Sequence, residues 1–149
     1  MNLTIDIGNT RTKIALFDGE TFVREEKFEN TDAEHLLNVV KEKEAEGLAF
    51  CSVAAENPLL VEALKQLPYP VLEVKGTTPA PVTVAYRTPE TLGADRLAAV
   101  VGAVTLKPQT DLLVVDAGTC ITYDFVDAAG NYLGGNISPG VEMRLEALH

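Results

Sequence analysis

Apolar and polar residues alternate from the start of the chain. Leu3, Ile5 and Ile7 are separated by Thr4 and Asp6, the period of a half-buried strand. Gly8-Asn9-Thr10 interrupts the run, and Lys13-Ile14-Ala15-Leu16-Phe17 resumes it. Asp18-Gly19 is a hairpin signal, after which Thr21 to Phe28 reads as a third, more polar strand. Thr31, with Glu34 three residues on, forms a capping box and predicts a helix to about Glu46, ended by Gly47. Leu36, Leu37, Val39 and Val40 supply its apolar side. Leu48 to Val53 reads as a short buried strand. Asn57-Pro58 gives an N-cap with proline at the first helical position, and that helix runs to about Leu67. Val71 to Val74 is a further strand and Thr77 to Pro81 a loop. A long helix is expected from about Thr91 to Leu106, carrying Leu92, Leu97, Val100, Val101 and Val104. Leu112 to Val115 is a continuous apolar run of the kind found in central strands. The succession is mixed α/β with an antiparallel start. A Rossmann unit differs, because its first strand passes directly into a helix.

The chain also echoes itself. Val115-Asp116-Ala117-Gly118-Thr119-Cys120 repeats the plan of Ile5-Asp6-Ile7-Gly8-Asn9-Thr10: a strand ending in Asp, one small or apolar residue, Gly, then a hydroxyl or amide residue. Each is followed by a second strand, Thr12 to Phe17 and Ile121 to Val126, and then by an aspartate-and-glycine turn, Asp18-Gly19 and Asp127-Ala128-Ala129-Gly130. From Asp6 to Asp116 is 110 residues, which suggests duplicated halves facing each other, with domains at 1–110 and 111–149. Gly8 and Gly118 are expected to take backbone angles closed to other residues and to offer bare amide N–H groups. Such a turn, with Asn9, Thr10 or Thr119 beside it, can cradle phosphate oxygens. An aspartate there repels phosphate, so it should hold a cation or the cation's water. Two ordinary tight hairpins are the competing reading of either motif alone. The matched pair favours a nucleotide's phosphates gripped from both sides.

Between the loops lies Tyr86-Arg87-Thr88-Pro89-Glu90-Thr91-Leu92-Gly93-Ala94-Asp95-Arg96. Gly93 in a first helical turn costs about 1 kcal/mol relative to Ala, which a close-approaching ligand or backbone would explain. Asp95 could act as a general base on a substrate hydroxyl, and Arg96 could bind a carboxylate. The bland alternative is an acid favouring the helix dipole and an arginine on a solvated face. Local sequence alone favours that alternative.

Composition narrows the partners. The 149 residues are 46% hydrophobic and 23% charged, enough for a real core and against disorder. The net charge of −10 repels phosphate backbones and anionic lipid, so neither nucleic acid nor membrane is an expected partner. Cys51 and Cys120 cannot form a disulfide framework and have no metal-ligand spacing. They read as small buried residues in a reducing compartment. The first residues lack a signal-peptide pattern, and the apolar run Leu97 to Leu106 is too short to cross a bilayer, so a cytoplasmic protein is expected. His35 and His149 read as solvated surface, and Lys41 to Glu46 as a soluble helix face.

Asp6-Ile7-Gly8-Asn9-Thr10 with Lys13, then Gly93-Ala94-Asp95-Arg96, then Asp116-Ala117-Gly118-Thr119, resemble the three ordered motifs of type III pantothenate kinases. Gly134-Gly135-Asn136-Ile137-Ser138-Pro139-Gly140 is similar to the glycine-rich segment that follows them, so the likeness runs from residue 5 to residue 149. It overturns the bland reading of Gly93 to Arg96. It implies an actin-like, ribonuclease-H-type α/β fold of two similar domains, the second truncated here. It also implies phosphorylation of the primary hydroxyl of pantothenate by ATP, the first step of coenzyme A synthesis. By the same resemblance Asp6, Ile7, Gly8, Asn9, Thr10, Arg11, Thr12 and Lys13 would hold the ATP phosphates, with Asp6 reaching magnesium through water. Asp95 would accept the hydroxyl proton. Gly93, Ala94, Asp95 and Arg96, with Tyr86 upstream, would line the pantothenate site. Asp116 would bind a monovalent cation, potassium or ammonium, and Thr119 would touch the nucleotide. Members of the family are homodimers.

Cys120 stands where many relatives carry alanine. Few residues follow Thr110 for a second half, so the chain reads as a fragment of a longer kinase. Another actin-like phosphotransferase or phosphatase would share both loops but give no reason for Tyr86 and Gly93 to Arg96. A nucleotide-binding regulator of the same fold is the non-enzymatic alternative.

Overall fold

The computed structural model describes residues 1–8, 10–29, 33–42, 45–52 and 58–148. Asn9, the capping residue Thr31, Lys43 and Glu44 of the charged helix face, the N-cap Asn57 and His149 lie outside the described residues. The chain forms two compact units, Met1–Val74 and Lys75–His149.

The first unit is a five-stranded sheet in the order β3-β2-β1-β4-β5. Strands β1 (Asn2–Ile7), β2 (Arg11–Asp18) and β3 (Thr21–Glu29) form an antiparallel meander; β4 (Gly47–Ser52) joins β1 in parallel, and β5 (Val71–Glu73) joins β4 in parallel. The alternation in sequence sets the facing. Leu3, Ile5, Ile7, Ile14 and Leu16 are buried with Leu48 and Phe50 of β4. Helices α1 (Ala33–Glu42) and α2 (Pro58–Lys65) complete this core with Leu36, Val40, Leu60 and Leu64. The opposite row carries Thr4, Asp6 and Lys13. Gly19, at φ +58°, makes the β2–β3 turn as the Asp-Gly signal predicts.

The second unit is a four-stranded sheet in the order β6-β9-β8-β7. Strands β7 (Leu112–Ala117), β8 (Cys120–Val126) and β9 (Asn131–Pro139) are an antiparallel meander, with the two-residue β6 (Thr83–Val84) parallel to β9. Helix α3 (Ala94–Leu106) packs Leu97 and Val100 against Val126 and Tyr132. A short helix α4 (Val141–Glu146) follows β9.

Leu112 and Val114 of β7 join the core, and Leu113 and Val115 stand on its other face. Two expectations change. The long helix begins at Ala94 rather than near Thr91, because Pro89–Thr91 winds first into a separate 3-10 turn. Strand β9 has no counterpart in the sequence reading, since glycine, asparagine and proline all weaken strand propensity.

The glycines of β9 are required by what surrounds them. Gly134 sits at φ +117°, and a Cβ there would lie 3.4 Å from the ring of Tyr86. A Cβ on Gly135 would run into the Tyr123 carbonyl and come within 2.7 Å of the Arg96 guanidinium. Gly102 is the contrast, mid-helix in α3 with open space where its side chain would be. Gly102→Ala should therefore stabilise by about 0.5–1 kcal/mol. Gly135→Ala should destabilise by several times that amount, as overpacking against backbone does. Chemical denaturation of the two variants, read by circular dichroism, checks the opposite signs.

Candidate functional site

The first loop links β1 to β2. Asp6 stands on the open face, opposite Lys13 on β2 and Cys51 on β4. Lys13 Nζ lies 3.6 Å from Asp6 Oδ2, and Cys51 Sγ donates to Asp6 Oδ1 at 3.6 Å. Both charged side chains are more than a third exposed, so the pair contributes little to stability. Its consequence is positional: an ammonium and a carboxylate are held side by side at the mouth of a turn. Thr10 and Arg11 are exposed there too. Ile7 and Thr12 face the other way, paired with each other and buried. Of the expected phosphate-binding stretch, Asp6, Thr10, Arg11 and Lys13 thus present side chains to the open side.

The second loop links β7 to β8. Asp116 is exposed and faces Thr122 across the hairpin, with no ion pair among the described residues. Thr119 is exposed at the turn. Cys120 is also exposed, against expectation, because it opens β8 directly after a two-residue turn; Cys51 is buried as expected.

The glycines of these loops act differently from the sequence reading. Neither Gly8 nor Gly118 adopts the left-handed conformation, and neither amide is bare. Gly8 N–H donates to the Arg11 carbonyl at 3.0 Å, and Gly118 N–H donates to the Cys120 carbonyl at 2.9 Å. Both are consumed in closing their own turns. A side chain at Gly8 would press on the Arg11 carbonyl at 3.0 Å, whereas one at Gly118 would make an ordinary contact at 3.8 Å. The glycine that the second loop needs is Gly140. Its N–H donates to the Thr119 carbonyl at 2.9 Å, and a Cβ there would collide with the carbonyls of Gly118 and Thr119.

The third group surrounds the start of α3. Gly93 is the N-cap, not a first-turn residue, so the expected helix cost does not arise. A Cβ on Gly93 would strike the Asp95 carboxylate. Its absence lets that carboxylate fold back, where Oδ1 accepts the Arg96 amide N–H at 2.8 Å. The other oxygen, Oδ2, has no protein partner among the described residues, and Asp95 is half-buried. One carboxylate oxygen is thus anchored at the helix start and the other is left open.

Arg96 is not on a solvated face. It is 5% exposed, and its Nε donates to Asp124 Oδ1 and Oδ2 at 3.0 and 3.2 Å while Nη2 donates to Oδ1. Asp124 is 1% exposed and also accepts the Tyr132 hydroxyl. Burial alone would lower the Arg96 pKa, but the hydrogen bonds and charge of Asp124 outweigh it and the net direction is up. Burial, then Asp124, pushes the Tyr132 phenol up, so it stays a donor. Tyr86 stacks on Tyr132 with ring centroids 6.4 Å apart, and the guanidinium lies 5.7 Å from the Tyr86 centroid.

Asp124 and Tyr132 escaped the sequence reading. The available signal was an aspartate in the middle of the apolar strand Ile121 to Val126, where a lone carboxylate needs a buried partner.

The described residues hold no cluster of three or more His, Cys, Asp or Glu side chains suited to a metal. No helix among them is long and apolar enough to cross a membrane.

Comparison with known proteins gives the family. A family model described as type III pantothenate kinase matches residues 2–149. The type III pantothenate kinase of Bacteroides fragilis is 50% identical over 149 residues, all of this chain and 61% of that protein. The chain thus spans about three-fifths of the length of such relatives. Among solved structures, a conserved Campylobacter jejuni protein assigned to the Baf family of transcriptional activators is 26% identical at a TM-score of 0.58, covering 94% of this chain and 55% of that one. A Ppx/GppA protein of Aquifex aeolicus shares the fold at a TM-score of 0.53 and 16% identity, covering 97% and 53%. The α/β, actin-like fold expected from the motifs is thereby established, with the match to the relatives ending partway along their length. With its three motifs in order and the family model matched almost end to end, the chain belongs to the type III pantothenate kinase family.

Proposed function

We propose that the protein transfers the γ-phosphoryl group of ATP to the primary hydroxyl of pantothenate, forming 4′-phosphopantothenate and ADP as the first step of coenzyme A synthesis. Family membership supports the reaction. The observation that carries it here is Asp95, held through Oδ1 by the α3 amide with Oδ2 uncommitted. Asp95 takes the hydroxyl proton as the acceptor oxygen bonds to the γ-phosphorus and the bond to the ADP oxygen breaks. Gly93, Ala94 and Arg96, with Tyr86, line the acceptor side. Lys13, Thr10 and Arg11, together with Asn9, contact ATP phosphates, and Thr119 touches the nucleotide. Phosphoryl transfer depends on such positioning and charge neutralisation more than on covalent help.

The acid residues fit the cations that this chemistry uses. Asp6 already shares its carboxylate with Lys13 and Cys51, which suits magnesium reached through water and otherwise held by phosphate oxygens. Asp116, facing a neutral threonine, suits a monovalent cation, potassium or ammonium. When bound, these ions supply neutralisation of the triphosphate charge. The repeat places a domain boundary near residue 110, whereas the compact units divide between Val74 and Lys75, with α3 packed on the second sheet. A homodimer and a cytoplasmic location complete the proposal, the latter consistent with two free thiols.

A second reading is a nucleotide-binding regulator, favoured by the description of the Campylobacter protein as a transcriptional activator. The net charge of −10 argues against direct contact with DNA. Saturable ATP binding without ADP release when pantothenate is added would select it.

A coupled ADP-release assay on the full-length protein, with pantothenate against other small alcohols, tests the main reading. Pantothenate should be the strongly preferred acceptor. Asp95→Asn should lower kcat by roughly 10²–10⁴-fold with an unchanged circular dichroism spectrum; near-parental kcat removes the base assignment. Asp116→Ala should abolish activation by potassium or ammonium. Identical activation curves for variant and parent would remove the cation role.

A further inference from the structure

Arg96, Asp124 and Tyr132 form a polar cluster inside an otherwise apolar core, where Leu97, Val100 and Val126 are buried. Stability is a weak reason for such a cluster. Desolvating an ion pair costs about as much as the pairing returns, and apolar residues of the same volume often serve as well. Its position offers a better reason. Arg96 is in the first turn of α3, one residue after Asp95, and its guanidinium lies under the Tyr86 ring. Tyr86 in turn stacks on Tyr132. Fixing the guanidinium therefore fixes two groups assigned to the acceptor site.

We propose that Asp124 and Tyr132, which touch no substrate, are positioning residues that lock the Arg96 fork and thereby set the Tyr86 ring and the Asp95 turn for the acceptor alcohol. The inference rests on the pantothenate kinase reading. It also changes the part played by Arg96. Asp124 occupies Nε and Nη2, and the buried pair is neutral as a whole. Arg96 thus serves the acceptor through the Tyr86 ring and the start of α3 that it holds, and not as an unpaired counter-ion for its carboxylate. A guanidinium suits this task because its planar fork is held in one orientation by two parallel hydrogen bonds.

The glycines agree. Gly135 leaves the space that the guanidinium occupies, and Gly134 leaves the space beside the Tyr86 ring. Strand β9 is thus shaped around the cluster and around the residue that the cluster supports. Tyr132 stays protonated, so its O–H is a constant donor to Asp124.

The test is Tyr132→Phe, which removes one hydroxyl and keeps the buried ring, with Asp124→Asn as companion. Both are made in the full-length protein and compared with the parent in the ADP-release assay. Tyr132→Phe should raise KM for pantothenate about three- to tenfold, as loss of a charge-assisted hydrogen bond transmitted through one neighbour would. KM for ATP should stay unchanged and kcat should fall by less. Asp124→Asn should do the same more strongly; if it fails to fold, the decision rests on Tyr132→Phe. A Tyr132→Phe enzyme with parental KM for pantothenate overturns the inference, as does an equal change in both KM values. A parent that neither binds nor phosphorylates pantothenate overturns the underlying reading instead, and this inference with it.

Discussion

The contact on which the second unit depends is a charge pair that water does not reach. With side chains 6% and 1% exposed, Arg96 and Asp124 each supply the opposite charge that the other's burial requires. They come from α3 and β8, 28 residues apart. Removing either leaves a buried charge, which typically costs 3–5 kcal/mol. The helix, the strand and the aromatic side chains beside them are therefore obliged to assemble together. The same contact dictates nearby composition. The Tyr123 carbonyl, the Asp124 carboxylate and the Arg96 guanidinium fill the space where a side chain at position 135 would project, so β9 carries glycine there.

This explains which parts of the fold were legible. The meander β1 to β3 was readable because its facing follows a period of two and its turn carries Asp-Gly. Helices α1 and α2 were readable from their apolar spacing. The Asp-x-Gly echo was readable as well, and it corresponds to a common plan. Asp6 and Asp116 are each the fifth residue of a six-residue strand, and each meander ends in a nine-residue strand. What stayed hidden was set by distant partners. Nothing local to Arg96 reveals Asp124. Gly8 and Gly118 suggested open amides, but a turn that short satisfies its own donors first.

The echo is one of position along the strand and not of facing. On β1, Asp6 stands on the row opposite the core formed by Leu3, Ile5 and Ile7. On β7, Asp116 continues the row of Leu112 and Val114, which pack into the core beneath α3. The turns differ too. Three residues separate β1 from β2, but only two separate β7 from β8. One residue fewer shifts the cross-strand register, so Asp6 meets Lys13 whereas Asp116 meets Thr122. A carboxylate beside an ammonium already has a counter-charge and attracts a bare cation less. A carboxylate beside a hydroxyl has no such counter-charge. The difference of one turn residue is therefore enough to divide the labour proposed for the two loops: phosphate contact through Lys13 at the first, and a weakly charged ion at the second.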